Sequence, residues 1–269
     1  MELLRARALQ KVYPQARGQG IVALQDVSFA IHRGEFISIV GPSGCGKTTL
    51  LMCLSGLLEP TAGEVLLHGR RVTAPPREMI LIFQDYSRSL FPWRSVLKNV
   101  LFGLERKRGL RPPDRVDTAR RALDQVGLNG FETMYPWELS GGMQQRVAIA
   151  RGIAVAPEIM LMDEPFASVD AQTRAELEDT LLDIWQAGSQ TILFVTHDIE
   201  ESIYLADRVL VLSSRPSVIL EEIRVELPRP RHQLVTREES AFLRYRHHIY
   251  ELIKSQSQKG PPERGASHG

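Results

Sequence analysis

Gly41-Pro42-Ser43-Gly44-Cys45-Gly46-Lys47-Thr48 is the stretch that decides the fold of this 269-residue chain. It follows a short apolar run, Phe36–Val40, and precedes a helix-prone run from Thr49 to Leu58. It therefore reads as the turn between a strand and a helix. Its glycines let the backbone take positive φ, so that successive N–H groups converge at a helix N-terminus where the dipole adds positive potential. Such a nest accepts phosphate. In this pattern Lys47 reaches the β- and γ-phosphates and the hydroxyl of Thr48 ligates Mg²⁺. The candidate nucleotide contacts are Gly41, Pro42, Ser43, Gly44, Cys45, Gly46, Lys47, Thr48 and Thr49.

Outward from that loop, short apolar runs alternate with helical patterns, as in a largely parallel α/β core. Strands are expected at Phe36–Val40, Met79–Phe83, Ile159–Met162, Ile192–Val195 and Val209–Leu212. Val27–Ile31 and Glu64–His68 read as partly exposed strands of an antiparallel sheet beside the core. From about Ser95 to Ala154 the pattern is helical, with Val116, Ala119, Leu123 and Val126 on one stripe and Arg111-Pro112-Pro113 as an internal break. A second stripe, Leu177, Leu181, Ile184 and Trp185, follows the strand ending near Met162. The expected organisation is one α/β domain over residues 1–230, with a helical subdomain inserted at about 88–155. Residues 231–269 then hold a C-terminal helix, from about Glu238 to Lys254, and a polar tail expected to be disordered from Ser255 onward.

Composition narrows the class. The 33 Lys and Arg against 32 Asp and Glu give a formal net charge of +1, with 43% hydrophobic and 24% charged residues. That is ordinary globular usage, without the basic excess of a nucleic-acid-binding surface, so nucleic acid is not an expected partner. No apolar run approaches the roughly 18 residues that span a bilayer, and Met1–Lys11 does not read as a signal peptide. Cys45 and Cys53 stand without His companions, which disfavours both a disulfide framework and a Cys-based zinc site.

Two further stretches carry chemistry. Ile159-Met160-Leu161-Met162-Asp163-Glu164 is an apolar strand ending in two carboxylates. Ligands sit at the carboxyl ends of parallel strands, so Asp163 is the candidate Mg²⁺ ligand and Glu164 the candidate base for an attacking water. A plainer reading is an acidic pair that caps the turn at Pro165. Leu139-Ser140-Gly141-Gly142-Met143-Gln144-Gln145-Arg146 opens another helix. Ser140 could simply be its N-cap, yet paired glycines weaken a first turn while uncovering N–H groups suited to a second phosphate contact. Two anion sites far apart in the chain suggest that they meet across two copies.

Together with Gln84 after Met79–Phe83, Ser168-Val169-Asp170 after the acidic pair, and His197 after Ile192–Val195, this order resembles the ATP-binding cassette family of ABC transporters, over roughly Leu9 to Leu227. The resemblance implies a P-loop NTPase core with an N-terminal antiparallel β subdomain and an inserted α-helical subdomain. It implies ATP hydrolysis with Mg²⁺ held by Thr48, Gln84 and Asp163, and with Lys47, Glu164 and His197 as catalytic residues. Ser140, Gly141 and Gly142 correspond to the signature that closes over ATP bound to a partner copy, and Asp170 to the aspartate linking the two sites. Tyr13 corresponds to the aromatic that stacks on adenine. Each has a plainer alternative: Gln84 a strand-end amide, Asp170 a helix cap, His197 a surface histidine, Tyr13 an ordinary tyrosine. Val169 stands where leucine is common, and Trp137 where smaller polar residues or histidine are usual; neither is a catalytic group.

Asp85–Arg94 places Phe91 and Trp93 around a proline just after Gln84, which reads as an apolar docking surface or as packing within the helical subdomain. That segment, Ser214-Arg215-Pro216 and Glu226–Arg231 resemble the nitrate/sulfonate/taurine importer branch. The implied partners are integral-membrane permease subunits, an extracytoplasmic solute-binding protein and a second copy of the chain, at the cytoplasmic face of the inner membrane. The rival is a soluble cassette ATPase working on DNA, ribosomes or a cofactor-assembly scaffold.

Overall fold

The computed structural model of the chain describes residues 1–15, 20–84, 89–105, 107, 109–167, 169–188 and 190–257. Asp85–Arg88 of the expected docking segment, Ser168 and tail residues 258–269 lie outside them.

Two sheets organise these residues. Strands β1 (Glu2–Tyr13), β2 (Ile21–His32), β4 (Ala62–Leu67) and β5 (Arg70–Arg71) form an antiparallel sheet in the order β2-β1-β4-β5. Strands β3 (Phe36–Val40), β6 (Met79–Ile82), β7 (Ile159–Asp163), β8 (Thr191–Thr196), β9 (Arg208–Leu212) and β10 (Ile219–Arg224) form the second, in the order β10-β9-β3-β8-β7-β6. In it β9, β3, β8, β7 and β6 are parallel, and β10 closes one edge antiparallel to β9.

The parallel strands are apolar throughout because both faces are covered. Phe36, Val40, Met160, Met162, Ile192 and Phe194 belong to one core, under the helices. Ile37, Ile39, Ile159, Leu161, Leu193 and Val195 belong to the other, against the antiparallel sheet and α1 (Lys47–Leu54). Helices α2 (Val96–Leu104), α3 (Pro112–Gln125) and α4 (Gly141–Val155) fall between β6 and β7 and pack on one another. Pro112 and Pro113 open α3, where a missing N–H costs nothing. Ala119, Leu123 and Val126 of the expected stripe are buried, and Val116 is half-buried. In α5 (Ala171–Ala187) Leu177, Leu181 and Ile184 are buried, while Trp185 meets Phe36 edge-on at 5.8 Å and donates Nε1–H to Gly34 O at 3.2 Å.

Helices α6 (Ile199–Leu205), α7 (Gln233–Glu238) and α8 (Ser240–Ser257) complete the chain. The last strand ends at Arg224, ahead of Pro228–Arg231, and the core continues beyond it through Phe242 and Ile249 of α8.

Several boundaries differ from expectation. The helix after the glycine-rich loop stops at Leu54, short of Leu58, because Gly56 takes φ +73. β4 ends at Leu67, and His68-Gly69, both at positive φ, turn the chain into β5. The long β1 is unexpected: a register shift between Ala6 and Leu9, with Ala8 at φ +47, breaks the alternation that marks a strand. The C-terminal helix starts at Ser240 and continues to Ser257, so Ser255–Ser257, assigned above to the polar tail, are helical.

Candidate active site

Three parallel strands deliver their carboxyl ends to one edge of the sheet, where α/β folds bind ligands. β3 ends in the glycine-rich loop, β7 in Asp163-Glu164, and β8 in Thr196-His197. Register fixes their neighbourhood: Val40 pairs with Thr196, and Asp163 with Val195.

Within the loop, Gly44 sits at φ +71, and Gly46, the N-cap of α1, at φ +118. At Gly46 a Cβ would also lie 3.1 Å from Ala23 O. Lys47 is 5% exposed; its Nζ donates to Gly41 O at 3.0 Å and Pro42 O at 3.3 Å and lies 3.6 Å from Glu164 Oε1. The second Glu164 oxygen, Oε2, meets His197 Nδ1 at 2.8 Å. Glu164 is anchored by its N–H to Val195 O at 2.8 Å and takes φ +42, a strained value for a non-glycine residue. Burial raises the Asp163 carboxyl above its ordinary range, against a hydrogen bond from Thr48 that lowers it. The structure therefore gathers Lys47, Thr48, Asp163, Glu164 and His197 into one cluster.

The donor set suits Mg²⁺. A threonine hydroxyl beside one buried carboxylate offers hard oxygens, and a cation there would offset the desolvation that raises Asp163. Among the described residues no group of three or more His, Cys, Asp or Glu side chains could cage a metal. One carboxylate with substrate phosphates and water completing the shell is how Mg²⁺ is commonly held. Gln84 follows β6, whose Ile82 pairs with Met162, so it reaches the same sheet edge. Its side chain is exposed there.

Tyr13 ends β1 with its hydroxyl 3.2 Å from Thr49 Oγ1, which brings a half-exposed ring beside the loop. Cys45 is buried, and burial raises its thiol, so it packs as a small apolar group. Cys53 is pushed up to about 11 by burial as well, and both cysteines are free.

The second candidate anion site stands apart from this cluster. Ser140 caps α4, its Oγ accepting Met143 N–H at 3.3 Å, and Gly141 is exposed. At Gly142 a Cβ would lie 2.5 Å from Thr173 Cγ2, so only glycine lets the starts of α4 and α5 meet. Asp170 caps α5, accepting Thr173 N–H at 3.0 Å and the Thr173 hydroxyl at 2.7 Å; these bonds hold its carboxyl below the usual range. Beside the helix end, the exposed Trp137 stacks on Tyr135 at 4.6 Å.

Two groups escaped the sequence reading. Asp198 caps α6 through Glu200 N–H at 2.9 Å and Glu201 N–H at 3.2 Å, and its carboxylate lies 3.4 Å from Arg174, so the residue after His197 is firmly held. A Thr-His-Asp sequence before a helical run is the cap signal that could have revealed it. Arg215 and Ser217 bond the glycine-rich loop from the β9–β10 hairpin, a contact that no local pattern announces.

A groove of about 950 Å³ runs along the edge strand β6, lined by Met79, Phe83, Phe102, Gly103 and Arg151 among others. Phe91 packs edge-on against Phe102 at 4.6 Å, and Trp93, 71% exposed, leans on Phe91 at 5.5 Å.

Comparison with known proteins gives consistent results. The family profile described as ABC transporter matches residues 24–167. An uncharacterized ABC transporter ATP-binding protein of Methanocaldococcus jannaschii is 48% identical, covering 94% of this chain and 92% of the relative. A nitrate import ATP-binding protein of Synechocystis sp. is 45% identical over 91% of this chain and 93% of its own. A taurine import ATP-binding protein of Yersinia pestis is 46% identical over 77% and 80%. Among solved structures, the dimeric post-hydrolysis state of an ATP-binding cassette bound to ADP and Pi superposes with TM-score 0.73 at 30% identity, covering 83% of this chain and 99% of that one.

Proposed function

The chain belongs to the ABC transporter family and is an ATP-binding ATPase, and from that premise we propose that it is the ATP-hydrolysing subunit of an importer. The observation that carries the mechanism is the line Lys47–Glu164–His197, an ion pair followed by a hydrogen bond, beside Thr48–Asp163. Lys47 exchanges its contacts with Gly41 O and Pro42 O for the β- and γ-phosphates. Thr48 and Asp163, with Gln84, would hold Mg²⁺, which would offset phosphate charge. Glu164 takes the proton of the attacking water, and His197, oriented through Nδ1 by Glu164, offers its other ring nitrogen to the γ-phosphate. With little covalent work to do, catalysis is positioning and charge stabilisation. The Tyr13 ring supports adenine by stacking.

The separation of Ser140–Gly142 from this cluster supports a head-to-tail dimer in which each copy lends its α4 N-terminus to ATP on the other, with Asp170 beside the joint. The dimeric state of the cassette bound to ADP and Pi agrees with such an arrangement. In domain terms, residues 1–230 form the ATP-binding unit, with the insertion at about 88–155, and the C-terminal helix that follows packs onto its core through Phe242 and Ile249.

Among the described residues no helix is long and apolar enough to cross a membrane. The importer reading assigns transport to integral-membrane subunits, docked in the groove along β6 near Gln84 and Trp93 at the cytoplasmic face, with an extracytoplasmic binding protein supplying solute. Relatives named for nitrate and taurine import support a small anionic or organosulfur solute. Co-expression with an importer permease of the nitrate or taurine type tests this reading. The chain should sediment with membranes only when the permease is present, and Trp93→Ala should lower that fraction while basal ATP hydrolysis persists. A chain that stays soluble with its permease present would remove the importer assignment.

A further inference from the structure

The Ser213–Val218 loop joins β9 to β10, and the cycle above gives it no part. It is nevertheless built against the phosphate-binding loop. The Arg215 guanidinium donates to Gly44 O at 2.6 Å, and the Ser217 hydroxyl donates to Cys45 O. Both bonds bridge about 170 residues of sequence to consecutive peptide groups of one short turn.

We infer that this hairpin loop is a positioning element for the phosphate-binding loop, with Ser217 and Arg215 fixing the peptide planes that nucleotide phosphates meet. The inference rests on the reading of Gly41–Thr49 as the nucleotide loop. In a planar trans peptide the carbonyl of one residue points opposite to the N–H of the next. A donor outside Gly44 O therefore fixes the Cys45 N–H, which here closes the turn onto Pro42 O at 3.2 Å. A donor outside Cys45 O turns the Gly46 N–H the other way, into the nest. Gly46, at φ +118, has the freedom to lose this orientation, so an external clamp is needed there.

Ser217 is suited to the task. It is fully buried; its N–H donates to Ala23 O at 3.1 Å, and its carbonyl accepts Gln25 N–H at 2.9 Å. One residue thus ties β2, whose hairpin with β1 carries Tyr13, to the phosphate loop. The loop is itself braced: Ser213 Oγ accepts Val218 N–H at 2.9 Å and lies 2.8 Å from Ser214 O. On the other side the phosphate loop is walled by β9, since a Cβ at Gly41 would lie 3.1 Å from both Cβ and O of Leu212.

Neither side chain acts on phosphate directly. Releasing the clamp makes the loop order itself at the moment of binding, a cost shared by the ground and transition states. KM for ATP and Kd for ADP should rise together while kcat holds, which a general loss of structure does not produce. The test measures ADP binding, steady-state ATP hydrolysis and thermal unfolding for the full chain carrying Ser217→Ala, Arg215→Ala, Arg215→Lys or Lys47→Ala. Ser217→Ala should raise KM and the ADP Kd by about tenfold and Arg215→Ala by about threefold, with kcat within about twofold of wild type. Arg215→Lys, which keeps a donor, should recover most of the loss. Arg215 is exposed, so its variant decides the matter if Ser217→Ala fails to fold. Unchanged KM and ADP Kd in folded Arg215→Ala, or a fall in kcat without change in ADP binding, overturns the inference. Wild-type ADP binding in Lys47→Ala overturns the nucleotide-loop reading itself, a separate result.

Discussion

Glu164→Gln isolates the chemistry of the site because the geometry lets the amide replace the carboxylate with little disturbance. One Glu164 oxygen faces Lys47 Nζ at 3.6 Å, and the other lies 2.8 Å from His197 Nδ1. A glutamine can turn its carbonyl toward the ammonium and its NH₂ toward an unprotonated Nδ1, so both contacts survive in neutral form. The buried Lys47 pairing weakens, but Lys47 keeps its two backbone acceptors. The stability change should stay below about 1 kcal/mol. What disappears is the proton acceptor. General-base catalysis contributes about a hundredfold to ten-thousandfold, so kcat should fall by about a thousandfold, equivalent to about 4 kcal/mol of transition-state stabilisation. ATP binding should persist, since no phosphate contact is removed. Stopped-flow or coupled-enzyme assays of phosphate release, with ATP binding followed separately, read both quantities. A Glu164→Gln protein that hydrolyses ATP at the wild-type rate would refute the base assignment and the meaning given to the Lys47–Glu164–His197 line.

Other consequences are as direct. Lys47→Ala should abolish ATP hydrolysis or reduce it by at least about a hundredfold, measured by phosphate release, because a buried ammonium aimed along the loop is lost. Tyr13→Phe should keep KM for ATP within about twofold, whereas Tyr13→Ala should raise it by about tenfold, since stacking needs the ring and not the hydroxyl. Glu201, buried in α6, has its carboxyl pushed up from 4.5 to about 8, chiefly by burial, so in that interval the unfolded chain has released a proton that the folded chain retains. Stability therefore falls as pH rises through this window by an amount on the order of a few kcal/mol, and Glu201→Gln should flatten the decline, raising Tm relative to wild type more at pH 8 than near pH 5.5. Equal pH dependence of Tm in the two proteins would contradict that account.

Legibility in the sequence followed the locality of the cause. The loop Gly41–Thr48 could be read because one backbone conformation, its glycines and its lysine lie together, and β3, β7 and β8 because strands buried on both faces are continuously apolar. β1 was hidden since its bulge at Ala8 breaks the two-residue period, and the end of α1 moved because a single glycine sets it. The site residues were recognisable by order along the chain. Their coupling was not: Glu164 reaches Lys47 and His197 only because β3, β7 and β8 end at one edge, and Ser217 finds Cys45 O only because β9 lies beside β3. Gly142 was read as an uncovered N–H; its contact with Thr173 adds a steric reason for glycine that only packing reveals.

The proposed head-to-tail dimer requires that the chain hold half of each catalytic site and that ATP bring the halves together. The most direct test is the solution mass of Glu164→Gln, which retains ATP without turning it over, measured by light scattering with and without ATP. Glu164→Gln should be a monomer that becomes a dimer on adding ATP and reverts to monomer when the exposed Gly141 is also changed, as Gly141→Arg. A protein that binds ATP and remains monomeric at saturating nucleotide would contradict it.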